Sequence, residues 1–208
     1  MLLGLSLLLS VLPKTNMQPI LGIDTETTGV SNEDEVIQVA AILVDPVDFQ
    51  ILDRFETLVK ADRPIHPKAQ EVHGISAEML QDKPTMQQVW QDSTLSGWVQ
   101  QSSVVLGHNV VFDIRMLKHP AISTMSVVDT LPIVRTLFPT WRNHKLGTCV
   151  EYLELPEFKA HDALADVEVT AKILQRLSQD RGLTLQDFIT MSGRLKQHYL
   201  DLVKKRFV

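Results

Sequence analysis

The sequence predicts an α/β fold built on one five-stranded mixed sheet, an antiparallel meander followed by parallel strands, with helices on both faces. Three observations lead there. The first sixty residues hold three short runs rich in β-branched residues, separated by turn signals. The middle of the chain then alternates short apolar runs with segments of helical period, the pattern of β-α units. No Gly/Ser/Pro-rich linker divides the 208 residues, a length that suits one ordinary domain with a sizeable core.

Pro19 to Asp24 (PILGID) is an apolar run ending in an acid, and reads as a buried first strand. Glu35 to Val44 (EVIQVAAILV) is the second strand, Asp45-Pro46 turns the chain, and Gln50 to Val59 (QILDRFETLV) returns as the third. Strand, turn, strand, turn, strand implies an antiparallel meander. Helical patterns follow at Pro67 to His73 and Ser76 to Gln81, separated by Gly74, and a longer one at Thr85 to Gln100. Ser103 to Leu106 is the fourth strand. Val110 to Lys118 (VVFDIRMLK) has helical period, and Pro120 is expected to end it. Ser126 to Val128 makes a short fifth strand before a helix from Asp129 to Leu137. Further helices fit Lys145 to Leu153, Asp162 to Gln179 and Leu185 to Ser192. The expected division is an apolar leader over 1–18, one domain over 19–180 and a helical C-terminal extension over 181–208.

Hydrophobic residues make up 44% and charged residues 22%, the balance of a globular protein. The single cysteine, Cys149, excludes an internal disulfide and any all-cysteine metal site, and its neighbours suggest a buried small hydrophobe. A net charge of −5 permits nucleic acid as a ligand without arguing for it, since bound divalent cations would offset most of it. The opening MLLGLSLLLSVLPK is too short and apolar a run for a transmembrane helix, which needs about 20 residues. Three readings of it stand: translation starting at Met17, a docked or frayed helix, or an export signal. The protein is expected to be cytoplasmic.

Chemistry concentrates in acids placed where burial costs most. Asp24 and Glu26 flank Thr25 at the end of the first strand, and alternation puts both carboxylates on one side. Two neighbouring carboxylates repel, and a divalent cation is the common remedy. Asp113 is the only acid of VVFDIRMLK. Asp166 lies one turn into an apolar helix, with His161 five residues earlier, off that face and so on the approach loop or first turn. Asp162 fits the helix N-cap. Any one of these acids alone suits an ordinary cap or turn. As a set, oxygen ligands favour Mg²⁺ or Mn²⁺ over zinc, two such ions about 3.5–4 Å apart can clamp a phosphodiester, and an imidazole suits deprotonation of water near neutral pH.

The ordered set Asp24-Thr25-Glu26-Thr27-Thr28-Gly29, then Gly107-His108-Asn109 with Phe112-Asp113, then His161 with Ala163 and Asp166, resembles the DEDDh, or DnaQ-like, 3′–5′ exonucleases. These are a branch of the ribonuclease H-like fold that includes polymerase proofreading subunits. The resemblance covers about residues 20 to 178. His73-Gly74-Ile75 and Asp129-Thr130-Leu131 agree with it. The stretches VKADRPIHPKAQEVHGISAEMLQDKP and GLTLQDFITMSGR are similar to the exodeoxyribonuclease X type of bacteria. The apolar leader departs from the family pattern, in which the first strand opens the chain.

The resemblance implies two Mg²⁺ or Mn²⁺ ions. Asp24 would bridge both, Glu26 and Asp166 would bind the one that activates water, and Asp113 the one on the leaving-group side. His161 would be the general base. Thr27 and Thr28 would meet the terminal nucleotide and its 3′-OH, His73 and Ile75 would face its base or sugar, and Asn109 would orient the second-motif loop. The expected substrate is DNA, single-stranded or mismatched at its end, releasing nucleoside 5′-monophosphates in repair or proofreading, with a polymerase or repair partner. An RNA-trimming enzyme of the same fold is the alternative within the class. A catalytically silent nucleic-acid-binding subunit is the alternative outside it, and the intact set of five residues argues against that. Arg135, Arg142, His144 and Lys145 fit a solvated basic face at least as well as a strand path, Lys204-Lys205-Arg206 a solvated terminus, and Trp90, Trp98 and Trp141 the core rather than a base-stacking platform.

Overall fold

A computed structural model describes residues 17–193. The first sixteen residues of the leader and the Lys204-Lys205-Arg206 cluster lie outside the described residues. The element order is β1 (Ile20–Thr27), β2 (Val36–Val44), β3 (Ile51–Leu58), α1 (Pro67–His73), α2 (Ala77–Leu80), α3 (Met86–Trp90), α4 (Ser93–Gln101), β4 (Val104–Gly107), α5 (Val111–Leu117), α6 (Pro120–Thr124), β5 (Ser126–Asp129), α7 (Thr130–Leu137), α8 (Leu146–Tyr152) and α9 (Ala163–Arg181), and residues 185–193 are helical.

The expected sheet is present, with strands in the order β3-β2-β1-β4-β5. β1 pairs antiparallel with β2 and parallel with β4, β2 pairs antiparallel with β3, and β4 pairs parallel with β5. Every residue of β2 is buried, because both faces of the sheet are covered. Alternation sends Ile20, Ala40, Ile42 and Val44 to the core under α7, α8 and α9. It sends Leu21, Ile23, Val39, Ala41 and Leu43 to the opposite core, under the helices between β3 and β5. Each fully buried Ile or Leu contributes roughly 1.5–3 kcal/mol.

α9 lies directly on β1, and Gly22 makes that possible. A Cβ there would sit 2.5 Å from Ile42 Cγ1 and 3.0 Å from Val167 Cγ2. The strand that carries Asp24 and the helix that carries Asp166 thereby pack with nothing between them. The helical segment 185–193 joins the same core, with Phe188 fully buried and edge-on to Phe49 at 5.4 Å.

Two local expectations are corrected. The helix expected over Thr85 to Gln100 is two helices, because Asp92 caps a new start by accepting from Thr94 N and Leu95 N. Pro120 does not end the preceding helix. α5 ends at Leu117 with Lys118 in the left-handed region (φ 51), and Pro120 opens α6, where its missing N–H costs nothing. Cys149 is buried, as expected. Trp98 is in the core. Trp141 is half-buried, stacked on Phe138 at 4.2 Å and on Tyr152 at 4.9 Å. No helix of the described residues is long and apolar enough to cross a membrane.

Candidate active site

The site forms at the C-terminal ends of β1 and β4, where α5 and α9 arrive. β1 continues five residues past Gly22, its last residue paired with β4, so its edge on that side lies open. α5 fills the gap. Asp113, in the first turn of α5, accepts from Thr25 N at 3.0 Å and from Thr25 Oγ1 at 2.7 Å. Thr25 is buried, and the flanking Asp24 and Glu26 are half-buried together on the other side of the strand.

α9 supplies the remaining acid. Asp162 is its N-cap, accepting from Ala165 N at 3.3 Å, and one turn later Asp166 enters the site. His161 lies on the turn just before the helix, exposed, with its backbone in the left-handed region (φ 63). Its N–H reaches Asp166 Oδ2 at 3.3 Å, which ties the turn to the acid. Ligand-capable atoms of Glu26, His161 and Asp166 lie within 4.8 Å of one another. Asp166 Oδ1 is buried without a hydrogen-bond partner, a costly arrangement unless something binds it.

The electrostatics suit a divalent cation. Burial, and then repulsion from Asp113, Asp166 and Glu26 in that order, raises Asp24 well above the ordinary carboxylate range. Asp24 therefore feels the other three acids of the motifs. Burial, and then repulsion from Asp166, Asp113 and Asp162, pushes Glu26 up to about 7. Burial pushes Asp113 to about 7 against the opposing Thr25 hydrogen bonds, and Asp166 to about 6. A cluster of oxygen donors that resist ionisation together, with one buried oxygen unpaired, is the donor set a hard divalent cation takes.

An open cavity of about 670 Å³ adjoins the cluster, walled by His161, Asp162, His73, Ile75, Gln38 and Lys159 among others. His73 Nδ1 accepts from Ile75 N at 3.0 Å, which leaves Nε2 carrying the proton. Nε2 is buried without a well-formed bond, and burial lowers the ring's pKa despite the nearby Thr27 backbone. Ile75 is buried beside Ile37 and Leu80.

The remaining expected site residues are placed less directly. Thr27 is buried and donates its hydroxyl to Gly29 O at 2.6 Å. Thr28 is fully buried, donates to Asp34 Oδ1 at 3.0 Å and accepts from Glu35 N at 3.0 Å. Its backbone is also engaged, with Glu35 O and His66 N, so Thr28 holds the 29–34 loop. Asn109 is exposed in the left-handed region (φ 67), and its N–H donates to Asp129 Oδ1 at 2.8 Å. Thr25, which fixes Asp113, was not singled out from the sequence, because a threonine between two acids carries no mark of its partner.

Comparison with known proteins identifies the family. The RNase T family, described as exonucleases, matches residues 21–174. The chain is 34% identical over 161 residues to DNA polymerase III PolC-type of Thermotoga petrophila, which spans 74% of this chain and 11% of that protein. It is 30% identical over 200 residues to 3′-5′ exonuclease DinG of Bacillus subtilis, 89% of this chain and 20% of that protein. The chain thus spans only a small part of these curated relatives. A solved structure of exonuclease X in complex with 5′ overhanging duplex DNA superposes with a TM-score of 0.70 at 27% identity, covering 84% of this chain and 99% of that one. With the sheet order, the three acidic motifs and the histidine turn in place, the chain belongs to the RNase T exonuclease family, DnaQ-like 3′–5′ exonucleases of the ribonuclease H-like fold.

Proposed function

We propose that this chain removes nucleotides one at a time from the 3′ end of DNA, with two Mg²⁺ or Mn²⁺ ions, and releases nucleoside 5′-monophosphates. The observation that carries the reading is the convergence of Glu26, His161 and Asp166 ligand atoms within 4.8 Å, with Asp24 and Asp113 coupled to the same cluster. Members of the family depend on divalent cations. Asp24 would be shared between the two ions. Glu26 and Asp166 would complete one position, through the unpartnered Oδ1 of Asp166, and Asp113 the other, through the oxygen not engaged by Thr25. When bound, the ions neutralise charge at the scissile phosphate and make water a better acid.

The chain's own residues do the rest. His161, on an exposed turn beside the cavity, takes the proton from the water as its oxygen bonds to phosphorus, the bond from phosphorus to the 3′ oxygen of the preceding nucleotide breaks, and that oxygen leaves with a proton from solvent. The His161 backbone bond to Asp166 keeps the base in register with the acid. The cavity walled by His73 and Ile75 would take the terminal nucleotide. DNA as substrate is supported by the exonuclease X complex and by the PolC-type polymerase relatives, which also favour a polymerase or repair setting. The test is digestion of 5′-labelled DNA and RNA oligomers with Mg²⁺, Mn²⁺ or EDTA. A ladder shortening from the 3′ end, faster on DNA and abolished by EDTA, is the expected result. Faster loss of RNA would move the reading to RNA trimming, and no metal-dependent shortening would end it.

A further inference from the structure

The chain between β4 and α5 must do something unusual. Leaving Gly107, it passes through His108 and Asn109 and enters α5 at Val110, so that Asp113 arrives on the first turn against β1. Asn109 makes this turn in the left-handed region (φ 67), which asparagine adopts more readily than most residues, and hydrogen bonds from outside the turn hold it there. What holds it is β5. Gly107 is paired in register with Asp129, the last residue of β5. The Asp129 side chain is buried and turns back over the gap, with Oδ1 accepting from Asn109 N at 2.8 Å and from Leu131 N at 3.0 Å.

A second latch runs beside the first. His108 Nδ1 meets Thr130 Oγ1 at 2.9 Å, and His108 Nε2 meets His144 O at 3.0 Å. Two consecutive turn residues are therefore bound to two consecutive residues of the β5–α7 junction. The junction itself is anchored from a third direction, because Asp129 N donates to Ser192 Oγ at 2.9 Å, on the helical segment 185–193. Asp129 touches neither the cavity nor the acid cluster through any of these bonds. Its carboxylate is spent on backbone N–H groups.

We propose that Asp129 is a positioning residue for the cation site, clamping the Asn109 turn so that α5 presents Asp113 in ligand geometry, with Ser192 bracing the clamp from the C-terminal helix. This rests on the reading of Asp113 as a cation ligand. Groups that orient a ligand without touching the metal typically cost about 10–100-fold in metal affinity when lost. Asp129 has two separable properties, an acceptor oxygen and a negative charge. Asp129→Asn keeps the oxygen and removes the charge, whereas Asp129→Ala removes both.

The experiment is Mn²⁺ binding by titration calorimetry on the full chain, beside hydrolysis of a labelled DNA oligomer over a Mn²⁺ series. Asp129→Ala should weaken Mn²⁺ binding about 10–100-fold and raise the half-activating Mn²⁺ concentration in parallel, with the rate at saturating Mn²⁺ far less affected. Asp129→Asn should restore binding to within about 3-fold of the unmodified protein, since the amide oxygen accepts the same two N–H bonds. Ser192→Ala should weaken binding in the same direction by a smaller factor. Unchanged Mn²⁺ affinity in Asp129→Ala overturns the proposal, and so does equal impairment in Asp129→Asn, which would assign the effect to charge. If Asp129→Ala does not fold, wild-type affinity in Ser192→Ala overturns it. An unmodified chain that neither binds Mn²⁺ nor cuts DNA fails the proposed function itself, a separate outcome.

Discussion

One oxygen of Asp113 accepts two hydrogen bonds from Thr25, from its backbone N at 3.0 Å and its hydroxyl at 2.7 Å, across 88 residues of sequence. The carboxylate replaces the strand that β1 lacks on that side beyond Gly22, and it pins the second acidic motif to the first. The arrangement leaves the other oxygen of Asp113 available.

Thr25→Val keeps the β-branched shape and the N–H bond but deletes the hydroxyl donor. A lost hydrogen bond to a charged group costs about 1.5–3 kcal/mol, so a lower Tm and a higher Mg²⁺ requirement are expected. Unchanged values for both, by thermal melts and a Mg²⁺ titration of activity, would show that the backbone bond suffices.

Asp24→Ala removes the acid that the other three surround. Hydrolysis of a labelled oligomer should fall by at least about 10³-fold, because several kcal/mol of charge stabilisation depend on the cations it holds. Circular dichroism should remain native. Wild-type turnover in Mg²⁺ would refute the assignment of the acids.

His161→Ala should cut the rate by roughly 10²–10⁴, the span of a lost general base, with cation binding less affected than by loss of an acid. The pH–rate profile should change shape as well. An unchanged profile would remove His161 from that role.

Stability without metal should fall as pH rises. Glu26 and Asp113 stand at about 7 and Asp166 at about 6 in the folded chain. Unfolded, such groups ionise near 4. The folded state therefore holds more protons between these values, so the associated stability is full below about pH 4 and lost as pH rises through 6–7. Between pH 5 and pH 7.5 in EDTA, Tm should drop on the order of 5 °C, and Asp24→Asn or saturating Mn²⁺ should shrink that drop. A pH response identical with and without Mn²⁺ would contradict the cation site.

Gly22→Ala places a methyl against Ile42 and Val167. Overpacking of this kind costs typically 1–3 kcal/mol. Tm should fall, and activity at low temperature should fall with it if α9 is pushed off β1, since α9 carries Asp166. A neutral Gly22→Ala would show that Ile42 can rotate away.

Much of this was legible in one dimension. β-Branched runs marked all five strands within a few residues, and the acids betrayed themselves by lying at the ends of apolar segments where an unpaired charge is costly. Asp162 followed from N-cap preference. The break at Asp92 was hidden, because Val89, Leu95, Trp98 and Val99 keep an apolar rhythm across it and only the cap geometry reveals the new start. Pro120 misled for a related reason: a proline that cannot continue one helix is equally suited to begin the next. The bonds of the Thr28 hydroxyl to Asp34 and Glu35 were hidden too, because a threonine carries no mark of its partners.

The order of residues by itself determined the α/β class, the family motifs and which side chains carry charge, since these depend on local periodicity and residue type. Tertiary structure alone decided that Asp113 meets Thr25, that Asp24 lies among three other acids, and that Asp129 and Ser192 brace the turn before α5. Those relations join segments tens of residues apart through the strand order β3-β2-β1-β4-β5. Burial, which sets the acids' affinity for protons, likewise exists only once both faces of the sheet are covered.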